Sequence, residues 1–488
     1  MRHALTAALL TTSMFSLPAT AHAQAMTAEE AAQLRAELAA LKAKVQTLET
    51  RLDTATPQPA PAPAPVPTPA PPSVTAKPAT EISWKGAPEI KTADGWSFKP
   101  RGRVQLDVAG IDAPAGVTGI RGGTVTEFRR IYLGVDGKIP GGFSYRVEAD
   151  LANSEVELTD IYLAYGTGPL SITAGQVKPF WSLDDMTSDL FTSFTERAAF
   201  IQAFGFERRV GLSAQYRGKA LLLQGGVFSD NAADLTDSNH SLSVDGRVVF
   251  MPKLGNAQLH LAASGHYRDP GDPAATNRYR ARPFVHTTDV RLVDTGLIDI
   301  SSERGLGLEG AVIAGPFHAA GEAYWQSVKR STAAADPTFF GGYAEVGMVL
   351  TGGDARGYRD GAFDRLKPSK PITAGGIGAI EVNARYDYLD LNDAGVRGGQ
   401  QKTALIGLAW APIDYVRITA NYGKVWLDDA RVATATGDRS YSADTFGLRT
   451  QIDFWSGWIA ASPMARRRSR STHGPRWRPA CPKGRGRL

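Results

Sequence analysis

The chain has 488 residues with one Cys, 51 Gly and 30 Pro, and 43% of its residues are hydrophobic. It is too long for a mini-protein and too apolar for a wholly disordered chain. A single Cys excludes an intrachain disulfide framework and any Cys-rich metal site. The net charge of +5 is uneven, because residues 455–488 hold eight Arg, one Lys and no acid. Setting aside those nine charges and Arg2 leaves net −5 for the rest. The basic balance therefore says nothing for nucleic acid as a partner.

Arg2 and His3 precede an apolar stretch from Ala4 to Leu17, followed by Ala21-His22-Ala23. This order of basic, apolar and small residues predicts a cleaved signal peptide over 1–23, with Gln24 opening the mature chain. Thr11, Thr12, Ser13 and Pro18 interrupt the run and argue against a membrane helix. Elsewhere no apolar stretch is long enough to cross a bilayer as a helix. A membrane-resident form of this chain must then be a closed barrel, since open strands leave backbone groups unpaired in lipid.

In residues 27–54, Leu34, Leu38, Leu41, Val45, Leu48 and Leu52 are spaced 4, 3, 4, 3, 4. That is a coiled-coil seam of about three heptads, too short to stand alone, so it predicts self-association. A solitary helix resting on another element is the alternative. Residues 55–83 follow as a Pro/Ala-rich linker, with nine prolines in the 16 residues from Pro57 to Pro72. Fixed φ and missing N–H groups make this a stiff polyproline spacer of roughly 50 Å.

Residues 84–454 read as all-β. Phe143–Leu151, Ile380–Tyr388, Val416–Tyr422 and Phe446–Phe454 alternate apolar and polar side chains at period two. The polar face is often charged, as in Arg146, Glu148 and Asp150. A soluble sandwich would bury its apolar face. Here the pattern predicts lipid outside and water inside, a transmembrane antiparallel β-barrel. About sixteen strands would take roughly 23 residues each, with about 10 to span and the rest for turns. Barrels of that size enclose an aqueous channel.

Several segments resemble the phosphate-selective porin O and P family of bacterial outer membranes. Phe98-Lys99-Pro100-Arg101-Gly102-Arg103-Val104-Gln105-Leu106-Asp107 is similar to its first strand, and Glu127-Phe128-Arg129-Arg130-Ile131-Tyr132 to its paired-arginine strand. Gly175-Gln176-Val177-Lys178-Pro179-Phe180 through Thr195-Glu196-Arg197 is similar to a third segment, and Arg278-Tyr279-Arg280-Ala281-Arg282-Pro283 with Arg291–Gly296 to a fourth. The resemblance implies a homotrimeric sixteen-stranded porin in the outer membrane, contacting lipid and passing small inorganic or organic anions. It implies no enzyme activity and no cofactor. It also implies pore-lining, anion-binding arginines at Arg103, Arg129, Arg130, Arg278, Arg280 and Arg282.

The residues bear on that expectation directly. Arg278, Arg280 and Arg282 alternate, so an extended segment turns all three guanidiniums to one side, each able to hold an oxyanion through two N–H groups. Weak sites in a row let an anion pass from one to the next. Arg129 and Arg130 are adjacent, so strand alternation sends them to opposite faces unless a bulge intervenes. His286 continues the parity of the triplet, and Asp184, Asp185 and Asp189 stand where a phosphate trap would favour lysine. Phosphate, other oxyanions and carboxylates all remain open as cargo.

Other features have weaker readings. Gly305–Gly310 fits a dinucleotide-binding glycine pattern without the strand-then-helix context. The eight His residues show no metal-ligand spacing. Ser264-Gly265-His266 is the one hint of a barrel hydrolase. A structural barrel tethered to peptidoglycan through the coiled coil is the third class. After Phe454, where a closing aromatic is expected, the Arg-rich tail 455–488 reads as a shifted frame or lost stop codon, the alternative being an RNA- or lipopolysaccharide-binding extension.

Overall fold

The computed structural model describes residues 39–40, 42–44, 46–47, 80–117, 123–152, 156–237 and 240–454. The chain divides into two units, 1–76 and 77–488. In the first, the described residues between 39 and 47 are helical. The six seam positions of the expected coiled coil, the signal peptide, the proline spacer and the tail lie outside the described residues.

The second unit is built on sixteen strands. They are β1 (Ser97–Asp112), β2 (Thr124–Ile139), β3 (Phe143–Asp150), β4 (Glu157–Thr167), β5 (Leu170–Val177), β6 (Arg209–Arg217), β7 (Leu221–Phe228) and β8 (Leu242–Phe250). The second half comprises β9 (Ala257–Asp269), β10 (Ser302–Ala314), β11 (Phe317–Lys329), β12 (Thr338–Val349), β13 (Ala379–Asp393), β14 (Val396–Ile413), β15 (Val416–Asp428) and β16 (Tyr441–Asp453). Each pairs antiparallel with its neighbour, and β16 returns to β1 from Asp444↔Asp112 to Asp453↔Arg103. The barrel is closed, so no strand edge is left to lipid. At the seam the Phe454 N–H donates to the Gly102 carbonyl at 3.0 Å, and a Cβ on Gly102 would strike the Phe454 ring. Gly102 is required there for space.

Before β1, Thr80–Lys85 pairs with Ala87–Thr92, and that hairpin's second strand pairs at Ile90↔Phe98 with β1. The strand starts at Thr80, inside the stretch expected as linker, because the alternating Thr80–Lys85 run contains no proline.

Burial is inverted relative to a soluble domain. Arg146 and Glu148 of β3 are each 1% exposed while Val147 between them is 48% exposed. On β16, Thr445, Arg449, Gln451 and Asp453 point in while Phe446, Leu448 and Ile452 point out. Lipid solvates the outer row and the lumen holds the charges.

Among the described residues, three long connections carry buried side chains that pack inside the barrel: 178–208 between β5 and β6, 270–301 between β9 and β10, and 350–378 between β12 and β13. Their apolar residues, including Leu183, Phe200, Phe284, Leu292 and Phe363, join inward residues such as Tyr324, Phe339, Leu389 and Val425 in one cluster. The lumen is therefore narrower than a hollow sixteen-stranded cylinder. Its apolar packing lies mainly against β10–β16, leaving room beside β1–β5.

Outward Leu308, 48% exposed in mid-β10, reports on the lipid face. Leu308→Arg is expected to cost about 2–4 kcal/mol if the site lies near the bilayer midplane, measured by urea titration of folding into phosphatidylcholine vesicles.

Candidate functional site

The first inward connection is positioned by wall side chains that satisfy its backbone. It carries two short helices, α1 (Leu183–Met186) and α2 (Ala199–Ala203). Glu322 accepts from the N–H groups of Leu183 at 3.0 Å and Asp184 at 2.7 Å, and Asp387 accepts from Ala199 N–H at 3.2 Å. Arg356 of the third connection donates to the Phe191 carbonyl at 2.7 Å, Arg417 to Leu190 at 3.1 Å and Arg449 to Thr195 at 2.7 Å. Buried backbone groups need partners, and charged ones make the stronger bonds. The segment is thereby pinned across the lumen.

Between this segment and the wall of β1–β5 lies a cavity of about 340 Å³. Eight Arg and one Lys line it against six acids, an excess of three positive charges. The excess opposes the net −5 of residues 3–454. Tyr132, Tyr162, Phe206 and Phe284 line it too. The Arg103 guanidinium lies 4.5 Å from the Tyr132 ring centre.

The charges are ordered as an alternating chain. Arg208 pairs with Asp160 at 2.6 Å, Asp160 with Arg146 at 3.2 Å, and Arg146 with Asp136 at 2.7 Å. Asp136 pairs with Arg101 at 3.1 Å, Arg101 with Glu148 at 2.8 Å, and Glu148 with Arg103 at 3.6 Å. Asp189 then bridges Arg103 and Arg130, the latter at 2.7 Å. The chain begins and ends on arginine. Beside it, Glu196 bridges Arg129 at 3.2 Å and Arg449 at 3.3 Å.

Four of the six sequence-predicted arginines meet here: Arg103, Arg129, Arg130 and Arg282 all line the cavity. Arg129 and Arg130 do so together because β2 has a bulge. Gln105 faces Arg130 while Leu106 faces Phe128, leaving Arg129 as the extra residue. Arg278 and Arg280 stand apart. They share a smaller cavity of about 200 Å³ with Arg291, Gln202 and Asn277. Tyr279 and Ala281 are buried while Arg278 and Arg280 are exposed, so the expected alternation holds, and of the three arginines only Arg282 reaches the larger cavity. Arg278 is bound by Asp294 at 2.7 Å. Burial and the nearby Arg282 and Arg280 push Arg291 down to about 10. His286 does not extend the row; it pairs with Glu127 of β2 at 2.9 Å.

Arg101, Arg146, Lys178, Arg197 and Arg208 also line the cavity, though they are not among the six arginines expected to line the pore. For Arg101 the signal was present. Lys99, Arg101, Arg103, Gln105 and Asp107 occupy every second position of β1 and all are buried. Arg146 could likewise be found from its alternation with Val147. Arg197 and Arg208 lie on the inward segment, where no period marks their direction. Burial and the nearby Arg197 push the Lys178 ammonium down to about 8, against the attraction of Asp185.

Two of the weaker sequence features lie in packed strands of the barrel. Gly305–Gly310 lies within β10, and a Cβ on Gly307 would strike the Ser264 hydroxyl. That hydroxyl donates to the Trp181 carbonyl at 2.6 Å, and His266 Nδ1 meets Asp245 at 2.6 Å. Ser264 and His266 thus have separate partners.

The family model described as phosphate-selective porin O and P matches residues 98–454. An uncharacterized protein of Caulobacter vibrioides is 45% identical over 453 residues, covering 87% of this chain and 91% of that protein. Among solved structures, outer-membrane expressed OmpT of Vibrio cholerae has TM-score 0.48 at 10% identity, covering 74% of this chain and 98% of its own. The outer membrane channel DcaP of Acinetobacter baumannii has TM-score 0.46 at 12% identity, covering 74% and 99%. The family model covers most of the chain and, on a closed sixteen-stranded barrel, shows that the chain belongs to the phosphate-selective porin O and P family.

Proposed function

We propose that this outer-membrane porin carries small anions by passive diffusion, guided by luminal arginines. The observation that supports it is the arginine-rich lining of the cavity: nine basic residues against six acidic ones, with a positive excess remaining when Asp136 and Glu148 behind them are counted as well. Low-dielectric walls focus such a local excess and raise the concentration of counter-ions near it. Guanidinium groups remain charged at any working pH, so the preference needs no proton uptake. Arg103, Arg129, Arg130 and Arg282 are the sequence-predicted residues with the strongest claim to line the path. Arg278 and Arg280, beside a separate cavity, fit an outer approach. Phosphate is one candidate among small oxyanions and carboxylates, because carboxylates already occupy much of the arginine row.

The reading extends to the whole chain. Export would use the leader 1–23, and self-association would use the seam of residues 27–54, in keeping with a homotrimer. The same helix could contact peptidoglycan, joined to the barrel by the proline spacer. A channel reading requires single-channel conductance; its absence would return the molecule to a structural tether.

Two outcomes are expected in planar bilayers under a potassium chloride gradient. Wild type should be anion-selective, and Arg103→Gln or Arg130→Gln should lower the anion-to-cation permeability ratio by about threefold, with Arg278→Gln and Arg280→Gln weaker. The Lys178 charge is present below its pKa of about 8 and lost as pH rises through it. Anion preference should then fall across that interval, and Lys178→Met should remove the step. Arg197, Asp185 and Arg208 face this ammonium.

A further inference from the structure

The arginines beside the cavity already hold carboxylates, and these come from two kinds of element. Asp136, Glu148 and Asp160 belong to β2, β3 and β4, whose backbones are locked in the barrel ladder. Asp189 and Glu196 belong to the inward segment 178–208, outside that ladder. Each lies between two wall arginines. Asp189 presents one oxygen to Arg103 and the other to Arg130, and Glu196 faces Arg129 and Arg449. Two guanidiniums converging on one carboxylate is the geometry that would receive a passing oxyanion.

Burial acts against both charges, yet Arg103 and Arg130 hold Asp189 well below the usual carboxylate range. Arg129 and Arg449 do the same for Glu196. Both side chains are therefore anions at working pH.

We propose that Asp189 and Glu196 are resident stand-ins for the permeating anion, which displaces them in turn and sets their partners free again on leaving. This rests on the anion-channel reading. Without Asp189, Arg103 and Arg130 would be left with the more distant Glu148 carboxylate, 3.6 Å from Arg103, and would hold an entering anion more tightly. Conduction needs sites weak enough to release. Exchange meets that need, because one carboxylate or one permeating anion lies between the two guanidiniums before, during and after passage. Inward-segment carboxylates thus set residence time, and the wall arginines set the sign of the charge that passes.

The test is conductance against concentration in planar bilayers, with potassium acetate and potassium chloride as probes. Asp189→Asn and Glu196→Gln, made separately in the full chain, should each lower the half-saturating acetate concentration about tenfold. Limiting conductance should fall and anion preference should rise. Asp189→Glu should retain wild-type saturation. Unchanged half-saturation in both neutral variants would overturn the proposal. So would higher conductance with weaker selectivity, the result expected if these carboxylates only brace the segment. A wild-type channel without anion preference would instead overturn the functional reading itself, before any variant is measured.

Discussion

Backbone satisfaction in lipid is the constraint on which the rest of this structure depends. With no water outside to accept or donate, sixteen strands must pair around a complete circle, and β16 must meet β1. Closure then divides every strand into an outer apolar row and an inner row free to carry charge. The inner row can hold Arg146 and Glu148 at 1% exposure because each has an opposite charge beside it. Burying a charge alone would be far more costly than burying a pair. The alternating chain from Arg208 to Arg130 follows from this requirement.

The three inward connections turn a cylinder into a shaped passage. Their apolar residues pack against the wall of β10–β16, and the polar backbone of 178–208 is bound by wall carboxylates and arginines. What they leave beside β1–β5 is a cavity in which cations outnumber anions. Packing on one side and ionic order on the other are consequences of the same folding back. Asp189 and Glu196 meet their arginines across the join between barrel and connections.

Strand periodicity made the barrel legible. β3, β13, β15 and β16 lie where the alternating runs place them, since a period of two specifies which face is buried once the solvent on each side is known. The same rule could have added Arg101 and Arg146 to the candidate residues. It could not decide the adjacent Arg129 and Arg130, because a bulge depends on how β1 meets β2. Nor could it separate Arg278 and Arg280 from Arg282. Those three share one side of their segment, but the path of the connection carries only the last to the larger cavity.

The sequence by itself determined the class of molecule: an alternating, lipid-facing barrel whose inner rows are charged, with arginines at the positions the family resemblance picks out. Period and charge are local properties, and neither needs a distant partner to be read. The tertiary structure decided which arginines converge, how far the lumen is filled, and that carboxylates from 178–208 sit among the cations. Those facts depend on contacts between residues far apart in the chain, such as Arg103 with Asp189 and Arg449 with Glu196. Where a connection without regular period travels is settled by the wall that binds it.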